Sequence, residues 1–371
     1  MKVLYDSHIF SEQTFGGISR YFVELMNHIP TGVDPLLSLW ASENDYLPTL
    51  KNAPRTIPLR HFPEHRKLYY FLNGIADKRA LAKGGYDVFH PTGFSPYFID
   101  RVKSPVVVTV HDMIYHHGLN PGKHTPEIIE NMRKTTMAAD RVIAISQATK
   151  ESILKFYDID ESKIDVIYHG FTPVATAGTP RPPYLPERYI LFVGHRGGYK
   201  NFETLLSAFS IIAGKDKNIQ LLCTGRGFNK KELSRIADLG LSSRCQCRFI
   251  PSAEMSAVYA NAECFVFPSK MEGFGMPILE SFAAKCPAII SNVSCLPEIG
   301  GNGAIYFNPD DAEELAETIL RTINDRAFRL EKISLGEKEL KRFSWDKTAL
   351  QTADTYLKAI GDNPKSPATK H

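Results

Sequence analysis

Short apolar runs alternate along this chain with stretches whose apolar residues recur at helical spacing. Val106-Val107-Val108-Thr109-Val110 is β-branched and almost unbroken, the pattern of a parallel strand buried on both faces. Val142-Ile143-Ala144-Ile145 and Ile164-Asp165-Val166-Ile167 read the same way, and Ser146 stands where a helix N-cap belongs. Thr125 to Ala139 reads as helix. The alternation stops between Thr172 and Arg188, where Pro173, Pro180, Pro182, Pro183 and Pro186 exclude both helix and central strand. It restarts at Tyr189-Ile190-Leu191-Phe192-Val193 and continues with a helix over 201–213 that carries Leu205, Leu206, Phe209 and Ile212 on one face. Strands follow at Ile219–Cys223, Cys247–Ile250, Cys264–Phe267 and Pro287–Ser291, with a polar helix over 230–239 and another helix opening at Pro277. Asp310 with Glu313 predicts a capping box, and a last helix runs from Ser344 through Leu357.

Two runs of strand–helix alternation predict an α/β protein built from two doubly wound, Rossmann-like sheets. The expected domains are 1–172, a proline-rich linker over 173–188, and 189–342. Residues 343–361 should form a terminal helix that crosses back to the first domain. Sheets of this kind bind ligands at the carboxyl ends of their strands, so the expected site is a central cleft faced by both halves.

Composition changes this picture little. The 371 residues carry 44 Lys+Arg and 41 Asp+Glu, a net +3, too balanced for a nucleic-acid coat. With 43% hydrophobic and 23% charged residues the chain can bury full cores. Met1-Lys2-Val3-Leu4-Tyr5-Asp6 reads as a first strand and not as a secretory signal, and no apolar run approaches the length of a membrane span. The expected location is therefore the cytoplasm, where all six cysteines stay reduced; Cys245-Gln246-Cys247 lacks zinc-ligand spacing. Asp158-Ile159-Asp160 has the form of a metal-binding Asp-x-Asp but lies in a polar connection. No metal and no cofactor are expected.

The chemistry concentrates in Pro268-Ser269-Lys270-Met271-Glu272-Gly273-Phe274-Gly275-Met276-Pro277-Ile278-Leu279-Glu280. Glycines flank Phe274 after a buried strand, and Pro277 suits the first turn of a helix. Backbone N–H groups at such a turn receive a diphosphate or a developing oxyanion. Glu272 in the loop and Glu280 one turn into the helix could each accept two hydrogen bonds from a vicinal diol. After the strand ending at Val193, Arg196 and Lys200 could neutralise a departing nucleoside diphosphate. Gly16-Gly17 lets the backbone approach a ligand. His111 ends the Val106–Val110 strand at its carboxyl edge.

Glu-x(7)-Glu in the setting Glu-Gly-Phe-Gly-x-Pro resembles the signature of the retaining GT-B glycosyltransferases of family four. Ser294-Cys295-Leu296-Pro297-Glu298-Ile299, Phe343-Ser344-Trp345, Gly16-Gly17-Ile18-Ser19-Arg20-Tyr21-Phe22, His111-Asp112 and Ala144-Ile145-Ser146 fall in family-like places, so the likeness runs over about residues 1–360. The resemblance implies a GT-B fold without a resident metal. It implies that Gly16, Gly17, Gly273, Phe274, Gly275, Glu280, Gly225 and the strand end at Ile250 bind the donor. It further implies that Glu272 orients the transferred sugar, His111 contacts it, and Arg196 and Lys200 meet the leaving diphosphate. Arg196 departs from the pattern, because the family often places its arginine where His195 stands. Lys285 replaces the usual glycine at a helix end, where it could face the helix's negative terminus.

The implied reaction is retaining transfer of a hexose, with mannose from a GDP-sugar the first candidate and UDP-sugars open. The acceptor would be a glycan or a polyprenyl-diphosphate-linked glycan in surface-polysaccharide synthesis. Residues 51–83 carry Lys51, Arg55, Arg60, Arg66, Lys67, Lys78, Arg79 and Lys83 against Glu64 and Asp77, a net +6, with aromatics interleaved. That mixture fits peripheral contact with the inner face of a membrane. Two rivals are a nicotinamide-dependent oxidoreductase, which needs Gly-x-Gly-x-x-Gly after the first strand, and a non-catalytic scaffold that keeps the fold.

Overall fold

The computed structural model describes residues 1–57, 65–173 and 180–362. They form two compact units, Met1–Gly170 joined by the chain from Ser344, and Phe171–Phe343. Arg60 and Glu64 of the cationic cluster, part of the proline-rich linker and the last nine residues lie outside the described residues.

The first unit carries β1 (Lys2–Tyr5), β2 (Asp34–Leu37), β3 (Val88–His90), β4 (Val107–Val110), β5 (Arg141–Ala144) and β6 (Ile164–Val166). They pair in parallel as β2-β1-β3 and β4-β5-β6, and a parallel bridge between Phe89 and Val106 links the two sets. β3, β4 and β5 are buried along their whole length, which is why their sequences show no alternation. The Ser146 hydroxyl accepts from Thr149 N–H at 3.1 Å and caps the helix Gln147–Phe156.

The helix Trp345–Asp362 belongs to this unit. Its Trp345, Ala349, Tyr356 and Ala359 share a core with Tyr5, Tyr21 and Phe22. A buried hydrogen-bond chain fixes it: Tyr5 OH to Tyr356 OH at 2.8 Å, Tyr356 OH to His90 Nδ1 at 2.7 Å, and His90 Nε2 to Thr109 Oγ1 at 2.9 Å. Gly170 permits the approach, since a Cβ there would stand 2.3 Å from the Trp345 nitrogen.

Two carboxylates are buried beside β1. Asp6 Oδ1 accepts from Thr92 N–H at 2.8 Å and Thr92 Oγ1 at 2.7 Å. Asp77 accepts from Ser7 N–H at 3.1 Å, Ser7 Oγ at 2.7 Å and the Ser38 hydroxyl. Burial, and then the Asp6 charge, push the Asp77 carboxyl up to about 7, against the opposing pull of these hydrogen bonds. A raised acid pKa means the native state holds a proton that the unfolded chain releases near pH 4. This group's contribution is therefore complete below about pH 4 and falls as pH rises toward 7. Unfolding midpoints in urea should drop across that window, and Asp77→Asn should flatten the drop; an equally steep profile in the variant would contradict the assignment.

The second unit is one parallel sheet of β7 (Tyr189–Phe192), β8 (Gln220–Thr224), β9 (Cys245–Arg248), β10 (Cys264–Phe267), β11 (Ala288–Ser291) and β12 (Ile305–Phe307), in the order β12-β11-β10-β7-β8-β9. Leu205, Leu206, Phe209 and Ile212 of the helix Phe202–Lys215 are buried in its core, as their spacing predicts. Two local expectations shift. β9 ends at Arg248, so Ile250 lies beyond the strand. The N-cap near 310 is Asp311, which accepts from Glu314 N–H at 2.9 Å, while Asp310 pairs with Lys270 at 2.5 Å. Lys285 takes the left-handed conformation with φ 57°, yet its ammonium turns to Glu337 at 3.0 Å and not to its own helix end. Among the described residues no helix is long and apolar enough to cross a membrane.

Candidate active site

β7 opens the second sheet and has β8 on one side and β10 on the other. The chain reverses its winding direction there, so the loops after β7 and β10 diverge at a switch point, the usual ligand position in such sheets. Lys270 N–H donates to Tyr199 O at 2.8 Å and ties the two loops together.

Lys200 and Glu272 meet at this point. Lys200 Nζ lies 2.6 Å from Glu272 Oε1, with side chains only 16% and 11% exposed. The ammonium also sits 5.3 Å from the Phe267 ring centre and 5.1 Å from that of Tyr199. Gly275, with φ 110°, turns the chain into the helix Met276–Ala283, which has Pro277 in its first turn. A side chain would be strained at that φ, which explains glycine at this position. Gly273 and Phe274 are buried in the turn, and Phe274 packs edge-on against Phe343 at 5.8 Å. Glu280, one turn into the helix, accepts from the Tyr259 hydroxyl at 3.0 Å.

The loop is clamped from the far side by residues to which the sequence assigned no individual role. Ser294 Oγ donates to Glu272 O at 2.9 Å, and Cys295 Sγ lies 3.2 Å from Glu272 O and 3.1 Å from Phe274 O. Ser294 holds φ 58° to do this. A left-handed serine has no sequence signal, and Tyr259 reads only as a core aromatic.

Arg196, which the resemblance assigns to the leaving diphosphate, makes its contacts within the protein here, and its side chain is 7% exposed. It donates to Glu232 Oε1 at 3.2 Å, Arg226 O at 2.6 Å, Gly227 O at 3.0 Å and Cys247 Sγ at 3.2 Å. It also lies 5.0 Å from the Phe228 ring centre. A planar fork satisfied on all sides holds a loop in shape. That loop includes Gly225, with φ 106°, whose N–H donates to Arg248 O at 2.9 Å. Beyond β9, Ile250 is buried while Phe249 is 83% exposed.

In the first unit Gly16 precedes the helix Gly17–His28, and its carbonyl accepts from Ser19 Oγ at 3.1 Å. His111 follows β4. Its ring packs edge-on against Tyr21 at 5.0 Å, and among the described residues its buried Nε2 has no hydrogen-bond partner. Burial pulls its pKa down to about 3, so the imidazole is neutral at ordinary pH. Asp160 of Asp-Ile-Asp accepts from Ser162 N–H at 2.9 Å within its own turn. All six cysteines are free thiols. After β1 the chain forms the helix His8–Glu12, where the oxidoreductase rival required a glycine-rich dinucleotide turn.

Residues 15–173 match the model of Glycosyltransferase Family 4, and residues 180–339 match that of Glycosyl transferases group 1. The O-antigen chain mannosyltransferase B of Escherichia coli is 25% identical over 92% of this chain and 95% of its own length. The serotype-specific mannosyltransferase WbdA of the same organism is 26% identical over 62% of this chain. This chain spans 30% of that longer relative. Among solved structures, Anabaena HepE in complex with UDP and glucose superposes with a TM-score of 0.72 at 16% identity, covering 96% of this chain and 100% of HepE.

Proposed function

Because this chain belongs to the GT-B glycosyltransferases of family four, we propose that it moves a mannosyl group from GDP-mannose to a glycan acceptor of a bacterial surface polysaccharide, with retention at the anomeric carbon. The mannosyltransferase relatives support the sugar. The observation that carries the reading is the Lys200–Glu272 pair beside the Gly273–Gly275 turn at the switch point of the second sheet.

The donor's C1–O bond breaks as the acceptor hydroxyl attacks from the same face, and the departing diphosphate oxygen takes the acceptor proton. Negative charge grows on that oxygen. Lys200 and the N–H groups opening the helix Met276–Ala283 are the fixed positive groups that meet it. Glu272, held by Lys200 and by the Ser294 clamp on its carbonyl, orients the sugar hydroxyls. Glu280 holds the ribose diol, with Tyr259 fixing its carboxylate.

A thermal-shift panel with GDP-mannose, UDP-glucose and ADP-glucose tests the donor; GDP-mannose should give the largest shift and release labelled mannose on incubation. UDP-glucose is the second reading, supported by the ligands of HepE, and a dominant response to it would replace the first. Glu280→Ala should weaken donor affinity about tenfold or more, the worth of one or two charge-assisted hydrogen bonds, with a smaller change in kcat. Isothermal titration with the preferred donor checks this, and unaltered affinity would remove the ribose contact.

A further inference from the structure

We propose that His8 holds a hydroxyl of the sugar that accepts transfer, in a second ligand crevice where the winding of the first sheet reverses. The assignment rests on the glycosyl-transfer reading above and gives its second substrate a chemical class, an uncharged pyranose.

β1 has β2 on one side and β3 on the other, and β3 leads through the Phe89–Val106 bridge to β4 and its neighbours. The loops after β1 and β3 therefore part at the carboxyl edge, and a sheet of this kind takes its ligand in such a crevice. Behind it the two loops are tied. Asp6 Oδ1 accepts from Thr92 N–H at 2.8 Å, and Ile9 N–H donates to Thr92 Oγ1 at 3.0 Å. The helix His8–Glu12 starts at this tie, which fixes His8 at the parting of the loops.

The contacts of His8 leave its hydrogen-bonding capacity unspent. One side of the ring rests on Gly93, where an added Cβ would stand 2.1 Å from Cδ2 and 2.9 Å from Nε2. The Tyr70 ring meets the imidazole edge-on at 6.2 Å. Glu12, one turn on, brings Oε2 to 3.7 Å from Nε2, within charge attraction but too far for a hydrogen bond. Among the described residues the ring makes no hydrogen bond, and the side chain is 25% exposed. His90 at the end of β3 is the contrast, with both ring nitrogens bonded inside the core.

A neutral imidazole offers one donor and one acceptor. The carboxylate beside Nε2 favours the tautomer that keeps the proton there, which leaves Nδ1 to accept from a hydroxyl. The surroundings select against charge on the ligand. Glu12 is 56% exposed beside the ring, and the Asp6 carboxylate is buried behind it. A phosphate would meet like charge, while the hydroxyls of a neutral sugar can donate to imidazole and carboxylate alike. On the proposed reading the donor's diphosphate has its place at Lys200 in the second unit, so the crevice of the first sheet is left for the other substrate.

The test is transfer of label from the donor that wins the thermal-shift panel to methyl α-mannoside, methyl β-glucoside, methyl β-galactoside and methyl N-acetyl-α-glucosaminide. At least one should take the label from the wild-type chain. His8→Leu should raise KM for that acceptor at least about tenfold, the worth of one hydrogen bond, with a smaller change in kcat. His8→Gln keeps a donor and an acceptor and should recover part of the loss. Gly93→Ala should raise the same KM, because its methyl evicts the imidazole without altering it, and should add nothing to His8→Leu. All variants should keep the wild-type thermal shift with donor, which shows that they fold. An acceptor KM within about twofold of wild type in His8→Leu, or an additive double variant, overturns the assignment and leaves the transfer reading standing. Label released to water and passed to none of the glycosides overturns the pyranose class. A chain that neither shifts with nor cleaves any donor sinks the transfer reading, and this site with it.

Discussion

Lys200→Met lowers kcat by at least about 100-fold while the protein stays folded. A single preorganised donor aimed at developing charge accounts for about 10²–10³ in rate. On the proposed reading Lys200 is such a donor; it lies at a switch point, 2.6 Å from Glu272 and over the faces of Tyr199 and Phe267. Methionine keeps the length and packing of the stem over those rings and removes only the charge. The loss should appear in kcat more than in KM, because the interaction strengthens as the leaving diphosphate gains charge. Removing the ammonium also leaves the Glu272 carboxylate, 11% exposed, without its counter-ion. Some stability is therefore lost, of the order that follows when one partner of a buried pair is deleted. Adding Glu272→Gln to the variant separates the two effects: it should restore the thermal midpoint and not the rate. Single-turnover release of labelled sugar reads the chemistry directly. A kcat within threefold of wild type would mean that the leaving group is met elsewhere.

What the sequence disclosed and what it hid follow from how each feature is encoded. Fully buried strands such as Val107–Val110 and Ala288–Ser291 announce themselves as unbroken apolar runs, and the helix Phe202–Lys215 by its apolar face. Glu272, Gly275 and Lys200 were legible because glycine in a tight turn and charge beside it are matters of residue type. The Ser294 clamp was not, since a serine at φ 58° looks like any other serine. Asp310 and Asp311 both fit a capping pattern, and only the direction of the entering backbone decides between them. The contacts of Arg196 were hidden for a related reason. An arginine in a glycine-rich loop after a strand reads as an anion receptor, but the carbonyls that capture it come from a different loop, at Arg226 and Gly227. Spacing along the chain does not show that meeting.

That capture makes a second large effect predictable. Arg196→Ala should lower the thermal midpoint by about 10 °C, corresponding to roughly 3–5 kcal/mol for breaking a buried ion pair in a domain of this size. The variant strips the carbonyls of Arg226 and Gly227 of their donor and leaves Glu232, 15% exposed, facing a void beside Phe228. Arg196→Lys should rescue little, because a point charge on a flexible stem cannot serve Glu232, two carbonyls and the Cys247 sulfur at once. Glu232→Gln should be milder than Arg196→Ala and should not add to it, since both remove the same pair. The kinetic signature separates this role from direct contact with donor. A loop holder raises KM for the donor as the Gly225–Gly227 turn loosens, and it spares kcat relative to Lys200→Met, when both are assayed well below the lowered midpoint. A diphosphate ligand would do the reverse, with kcat collapsing at an unchanged melting temperature. Differential scanning calorimetry paired with donor-dependence kinetics on the same preparations distinguishes the two, and the second outcome would return Arg196 to the reacting centre.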